Sequence, residues 1–125
     1  MKKIRKPSGA ETAILSILWE RQPCTVKDIH LQLSSTKNVS YTTTLKQIQR
    51  MYEKGLVTRK DGKGRSHLYS AAQAESTTKS ALFDSFVDNA FGGSTSKLIM
   101  HALGNEKTSD AEIDAIKAFL ENLKP

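Results

Sequence analysis

The sequence predicts a mostly α fold with one small β-hairpin, a basic N-terminal half and a helical C-terminal tail. Three observations lead there. Residues 40–55 carry the best-marked helix: Ser40 is a capping residue, Gly55 tolerates the left-handed turn after a last helical residue, and Tyr41, Thr44, Leu45, Ile48, Met51 and Tyr52 share one face. Two alternating runs follow, residues 56–60 and 65–70, joined by Asp61-Gly62-Lys63-Gly64, which is turn chemistry. Charge then divides the chain. Residues 1–70 hold 14 Lys+Arg against 5 Asp+Glu, and residues 71–125 hold 5 against 8, so the whole +6 comes from a first half at +9 and a second at −3.

Taken in order, Ser8-Gly9-Ala10-Glu11 is a capping box, a hydroxyl with a carboxylate three residues on, and it opens a helix. Ile14, Leu15, Ile17, Leu18 and Trp19 give that helix a broad apolar face, which ends near Arg21-Gln22-Pro23. Thr25-Val26-Lys27-Asp28 repeats the box and starts a short helix with Val26, Ile29 and Leu33 inward. The polar turn Ser34-Ser35-Thr36-Lys37-Asn38 leads to Ser40. Helix, short helix, turn, cationic helix and hairpin, in that order, make a winged helix-turn-helix. Met1-Lys2-Lys3-Ile4-Arg5-Lys6 before it is a basic arm, able to reach phosphates or simply to solvate the terminus.

The tail predicts three helices. Residues 76–91 present Leu82, Phe83, Phe86, Val87, Ala90 and Phe91 before Gly92-Gly93. Thr95 or Ser96 begins a shorter helix with Leu98, Ile99, Ala102 and Leu103, stopped by Gly104. Ser109-Asp110-Ala111-Glu112 caps a last helix with Ile113, Ile116, Leu120 and Leu123 along one side and Phe119 beside them. A tail of roughly 55 residues is small for a core of its own, so a core shared by two chains is favoured over a three-helix core within one chain. The expected domains are therefore 1–71, a winged-helix DNA-binding domain, and 72–125, a helical dimerisation domain.

Function follows from the cationic helix. The face opposite its apolar stripe carries Thr42, Thr43, Lys46 and Arg50, with Glu53 as its one acid, near the far end. A merely solvated helix usually mixes acids and bases, so this face is matched to a polyanion. Thr42, Thr43 and Lys46 are expected at base edges of double-stranded DNA, and Arg50, Lys63 and Arg65 at phosphate. Gln47 lies at the side of the helix, where it either pairs with adenine or flanks the core; Leu45 is core by periodicity, with contact to a thymine methyl near the helix start as the alternative, and the core is favoured. Phe83, Phe86, Phe91, Ile113, Ile116, Leu120 and Leu123 are the expected homodimer contacts. A winged helix used for protein binding needs no such charge, and a nonspecific architectural DNA binder needs no dedicated dimer region.

Other chemistries find little support. No P-loop, G-x-S-x-G, H-E-x-x-H or G-x-G-x-x-G occurs, so an enzyme is not expected, nor a cofactor. Cys24 stands alone beside the Thr25 cap; a helix N-terminus can lower a thiol pKa, but a small buried side chain is the favoured role. His30, His67 and His101 are scattered and read as ordinary partly exposed histidines rather than a metal site. With no signal-peptide core and no apolar run near the roughly 20 residues that span a bilayer, a cytoplasmic protein without membrane insertion is expected.

Ala13-Ile14-Leu15-Ser16-Ile17-Leu18-Trp19-Glu20, Thr25-Val26-Lys27-Asp28-Ile29, Tyr41-Thr42-Thr43, Gln49-Arg50 and Glu53-Lys54-Gly55-Leu56-Val57, in this order, resemble the signature of the penicillinase-repressor family of BlaI/MecI/CopY transcriptional regulators. Phe91-Gly92-Gly93 and Ser96-Lys97-Leu98-Ile99 continue the resemblance into the tail. It implies an N-terminal winged helix, a C-terminal dimerisation region, repression through an inverted-repeat operator, and a membrane sensor protease as a further partner. Family members induced by such a protease share an Asn-Phe bond in the tail's second helix, where this chain has His101-Ala102, a departure that speaks against cleavage at that bond. Copper-responsive members carry paired C-x-C motifs at the end of the tail, and this chain has no cysteine after Cys24, which speaks against copper sensing by that route.

Overall fold

In the computed structural model, which describes residues 6–123, the element order is α1 (Gly9–Arg21), α2 (Val26–Ser34), α3 (Tyr41–Glu53), β1 (Val57–Asp61), β2 (His67–Ala71), α4 (Glu75–Phe91), α5 (Thr95–Leu103) and α6 (Asp110–Leu123). The fold is thus mostly α with a small antiparallel wing. Residues 1–5 of the basic arm lie outside the described residues, and Lys6 is exposed.

Each of the first three helices starts where a side chain satisfies its free N–H groups. The Ser8 hydroxyl accepts from the Glu11 N–H at 3.2 Å while the Glu11 carboxylate accepts from the Ser8 N–H at 2.8 Å. Thr25 and Asp28 repeat that exchange at 3.1 Å each way, and Ser40 accepts from the Thr43 N–H at 3.2 Å. Such caps are worth about 1 kcal/mol apiece, and they set the helix register on which the core depends. Gly55, at φ +81°, turns the chain from α3 into the wing.

Ile14, Leu15 and Leu18 of α1, Ile29 and Leu33 of α2, Ile48 and Met51 of α3 and Val57 and Tyr69 of the wing close one apolar core. The wing is tied to the helices by a short bridge: Cys24 and Tyr69 exchange backbone hydrogen bonds at 3.0 and 2.7 Å. A second tie was not expected from the sequence. Glu11, 3% exposed, also meets the Lys54 ammonium at 2.9 Å, joining the start of α1 to the end of α3. Burial pushes the Glu11 carboxyl up, but the Ser8 N–H, the Lys54 ammonium and the Ser8 hydroxyl together outweigh it and hold the group below the usual carboxylate range.

The hairpin is shorter on its second side than alternation predicts. Arg65 and Ser66 belong to the turn, because Gly62 N–H bonds Ser66 carbonyl at 2.9 Å and the Ser66 hydroxyl bonds the Lys63 carbonyl at 2.6 Å. The strands pair Val57 with Ala71, Arg59 with Tyr69 and Asp61 with His67.

The chain divides into two compact units between Leu82 and Phe83, so α4 begins in the first and ends in the second. In the second, α5 is capped by the Ser94 hydroxyl, which accepts from the Lys97 N–H at 3.2 Å. Phe91 packs edge-on against both Phe86 and His101, with ring centroids 5.7 and 5.8 Å apart.

Candidate nucleic-acid interface

The buried line of α3 is Thr44, Ile48 and Met51. The opposite side is open: Thr42, Thr43, Lys46, Gln49 and Arg50 are all exposed. Lys63 and Arg65 are exposed on the wing turn. Among the described residues, none of Lys46, Arg50, Lys63 and Arg65 has a carboxylate in ion-pair range. The cationic surface of α3 and the wing is therefore not neutralised from within.

The two glutamines of α3 part company. Gln47 is half-buried on the flank towards α1 and α2, where it lines a small hollow with Ile14, Leu33 and Val39. Gln49 is exposed on the flank towards the wing. The inner face drawn from periodicity was also too wide. Tyr41 and Tyr52 are exposed and Leu45 is half-buried, since all three lie on the wing-side flank rather than over the core. Tyr41 packs edge-on against His30, with centroids 5.5 Å apart, and the His30 Nδ1 lies 2.9 Å from the buried Thr44 hydroxyl, fastening α2 to α3. Tyr52 lies under Arg59, whose guanidinium carbon is 4.0 Å from the ring centroid.

Cys24 is 3% exposed, with its Sγ 3.3 Å from the Arg21 carbonyl. Burial and, after it, the nearby Asp28 carboxylate raise the thiol's pKa, against a smaller opposing pull from Arg21. Its position beside a helix start does not activate it. Among the described residues no three His, Cys, Asp or Glu side chains converge as metal ligands would, and no helix is long and apolar enough to cross a membrane.

In the second unit, Phe83, Phe86, Leu120 and Leu123 are exposed, whereas Phe91, Ile113 and Ile116 are half-buried. Ile99, Met100 and Phe119 are exposed as well. Val87 is the unit's one buried apolar side chain among the described residues.

Three helices with a capped, cation-bearing third helix and a two-strand wing define the winged-helix class. The chain belongs to the penicillinase repressor family, whose model matches residues 7–122. It is 24% identical over 116 residues to the penicillinase repressor of Staphylococcus aureus, covering 93% of this chain and 91% of that protein. It is 26% identical to the penicillinase repressor of Bacillus licheniformis, over 99% of this chain and 96% of that one, and 28% identical to the transcriptional regulator BlaI of Mycobacterium tuberculosis, over 99% and 89%. A solved structure of Lactococcus lactis ZitR aligns over 97% of this chain and 77% of that one, with a TM-score of 0.45 and 19% identity. The family is one of bacterial transcriptional repressors and not of enzymes.

Proposed function

We propose that this chain is a sequence-specific repressor that binds an inverted-repeat operator as a homodimer, with residues 1–71 as the DNA-binding domain and 72–125 as the dimerisation domain. The observation that carries the reading is the open face of α3, where exposed hydroxyls and unpaired cations stand on a helix whose other side is locked into the core. Family membership supports the same reading. Thr42, Thr43 and Lys46 contact base edges; Arg50, Lys63 and Arg65 contact phosphate. Gln47, half-buried on its flank, keeps mainly a packing role.

One winged helix reads only a few base pairs, so discrimination over nonspecific sites asks for two, related by a two-fold axis and reading half-sites about one turn of DNA apart. The exposed apolar side chains of α4 and α6 supply the surface for that pairing. Repression is relieved by an inducing signal, with proteolysis by a membrane sensor protease as one route.

The test is duplex binding titrated against salt, using the chain's own upstream region and a random-sequence duplex. A dimer making several phosphate contacts gives a slope of log K on log[salt] of roughly −5 or steeper. Tight preference for the upstream duplex is expected, and alanine at Thr43 and Lys46 is expected to reduce that preference by about 1–3 kcal/mol per altered contact. A flat slope contradicts DNA binding, and equal affinity for the two duplexes contradicts sequence reading.

A further inference from the structure

The wing carries a cation on its inner face. Residues paired across an antiparallel ladder point to the same side, and Arg59 is paired with Tyr69. Tyr69 is 2% exposed and belongs to the core, so Arg59 projects from the side of the wing that faces the helices. There its guanidinium rests on the Tyr52 ring of α3, in cation–π range. Beside it runs a cleft of about 460 Å³, lined among others by Lys27 at the start of α2, Gln49 of α3, and Arg65 and Ser66 of the wing turn. No acidic residue lines the cleft. Among the described residues, no carboxylate lies in ion-pair range of Lys27, Arg59 or Arg65.

A charge on an edge strand can serve simply to discourage strand-to-strand aggregation. That role needs neither three cations around one acid-free cleft nor an aromatic ring that fixes one of them. A helix about 10–12 Å across fills a major groove about 12 Å wide, so when α3 enters, sugar-phosphate strands pass along both of its flanks. The cleft lies along the wing-side flank of α3, next to the exposed stripe of Thr42, Lys46 and Arg50.

We propose that the cleft between α3 and the inner face of the wing seats one sugar-phosphate strand of the duplex, with Arg59 as its central cation and Tyr52 as the residue that positions it. The proposal rests on the DNA-binding reading above. It places phosphate contact inside the cleft, at Arg59 and Lys27, as well as at the wing tip. Gln49 lies at the lip of the cleft, within reach of the same strand.

The test uses the full chain, with salt titrations on the upstream and random-sequence duplexes for wild type, Arg59→Ala, Arg59→Lys, Tyr52→Leu and Tyr52→Phe. Arg59 and Tyr52 are both exposed, so circular dichroism and thermal melts of the variants are expected to match wild type. Arg59→Ala is expected to weaken both duplexes by the same factor and to flatten the salt slope by roughly 1 per bound subunit. Arg59→Lys keeps the slope. Tyr52→Leu weakens both duplexes in the same proportion, by less than Arg59→Ala, and Tyr52→Phe, which keeps the ring, leaves binding unchanged. A steep wild-type slope that Arg59→Ala leaves unaltered overturns this inference while sparing the DNA reading. A loss confined to the upstream duplex also overturns it, because Arg59 then reads bases. A flat wild-type slope overturns both.

Discussion

The first unit closes most of its apolar side chains over one another, with Ile29, Ile48 and Met51 each at 0% exposure and Leu31 left at 58%, whereas the second leaves Phe86, Met100, Phe119 and Leu123 more than half exposed. Both are built from short amphipathic helices, so helix formation is not what separates them. The first unit has a wing that covers one end of its core and several long-range ties, among them Glu11 to Lys54 and Cys24 to Tyr69. The second has no strand and one buried apolar side chain among its described residues. A unit of that kind retains a large unmet driving force for burial, since each exposed Leu or Phe forgoes about 1.5–3 kcal/mol. The proposed division of labour asks for this difference: a reading surface on the closed first unit, and a second unit completed by a second copy.

The largest expected effect comes from mutating the closed core. Ile48→Ala removes a fully buried side chain beneath α3 and is expected to cost about 2–5 kcal/mol in a urea unfolding curve. Phe119→Ser in the second unit, where the ring is already 62% exposed, is expected to change the stability of the first unit by less than about 0.5 kcal/mol. Comparable losses from the two substitutions, read on the first unit by the fluorescence of Trp19, would erase the distinction.

A smaller effect is expected at the tie between α1 and α3. Glu11 has a folded pKa below its ordinary 4.5, so its contribution is complete above about pH 4.5 and is lost as pH falls through the folded value. Glu11→Gln is therefore expected to cost about 1 kcal/mol at pH 7 and to lose less stability than wild type on acidification. Parallel pH–stability curves for the two proteins would show that the tie between α1 and α3 contributes nothing. The smallest effect concerns Cys24. A buried thiol with a raised pKa is expected to react with iodoacetamide at neutral pH only as fast as the first unit opens, and reaction at the rate of a free thiol would contradict the closed core.

Most of the helix starts were legible because they are written locally. Ser8, Thr25 and Ser40 each place a hydroxyl three residues before the N–H it accepts from. The buried line of α3 and its cationic side were legible for the same kind of reason, as a helical period needs no partner to be read. What escaped was set by residues far apart in the chain. Glu11 and Lys54 are 43 residues apart, and the Trp19 indole N–H donates to the Gln73 carbonyl across 54. Periodicity gave Tyr41, Leu45 and Tyr52 an angle on α3 but not the fact that the wing, rather than the core, lies beside them. It also could not tell which flank of the helix the wing would take. Gln47, at the side of the helix by periodicity, stands on the flank away from the wing and Gln49 on the open flank, while alternation gives Arg59 only a place in a strand.

The proposed completion of the second unit by a second copy of the chain is tested most directly by sedimentation, with duplex binding measured on the same samples. Leu120 is 45% exposed and Ile116 half-buried on the same side of α6, so Leu120→Glu disturbs the proposed dimer surface with little cost to a single chain, and Ile116→Glu adds an unpaired carboxylate deeper in it. Wild type is expected to sediment as a dimer at micromolar concentration and to bind its upstream duplex tightly. Both variants are expected to sediment as monomers with a folded first unit and to lose tight binding. A wild-type monomer at that concentration, or a monomeric variant that binds the upstream duplex as well as wild type, would contradict the proposed dimer.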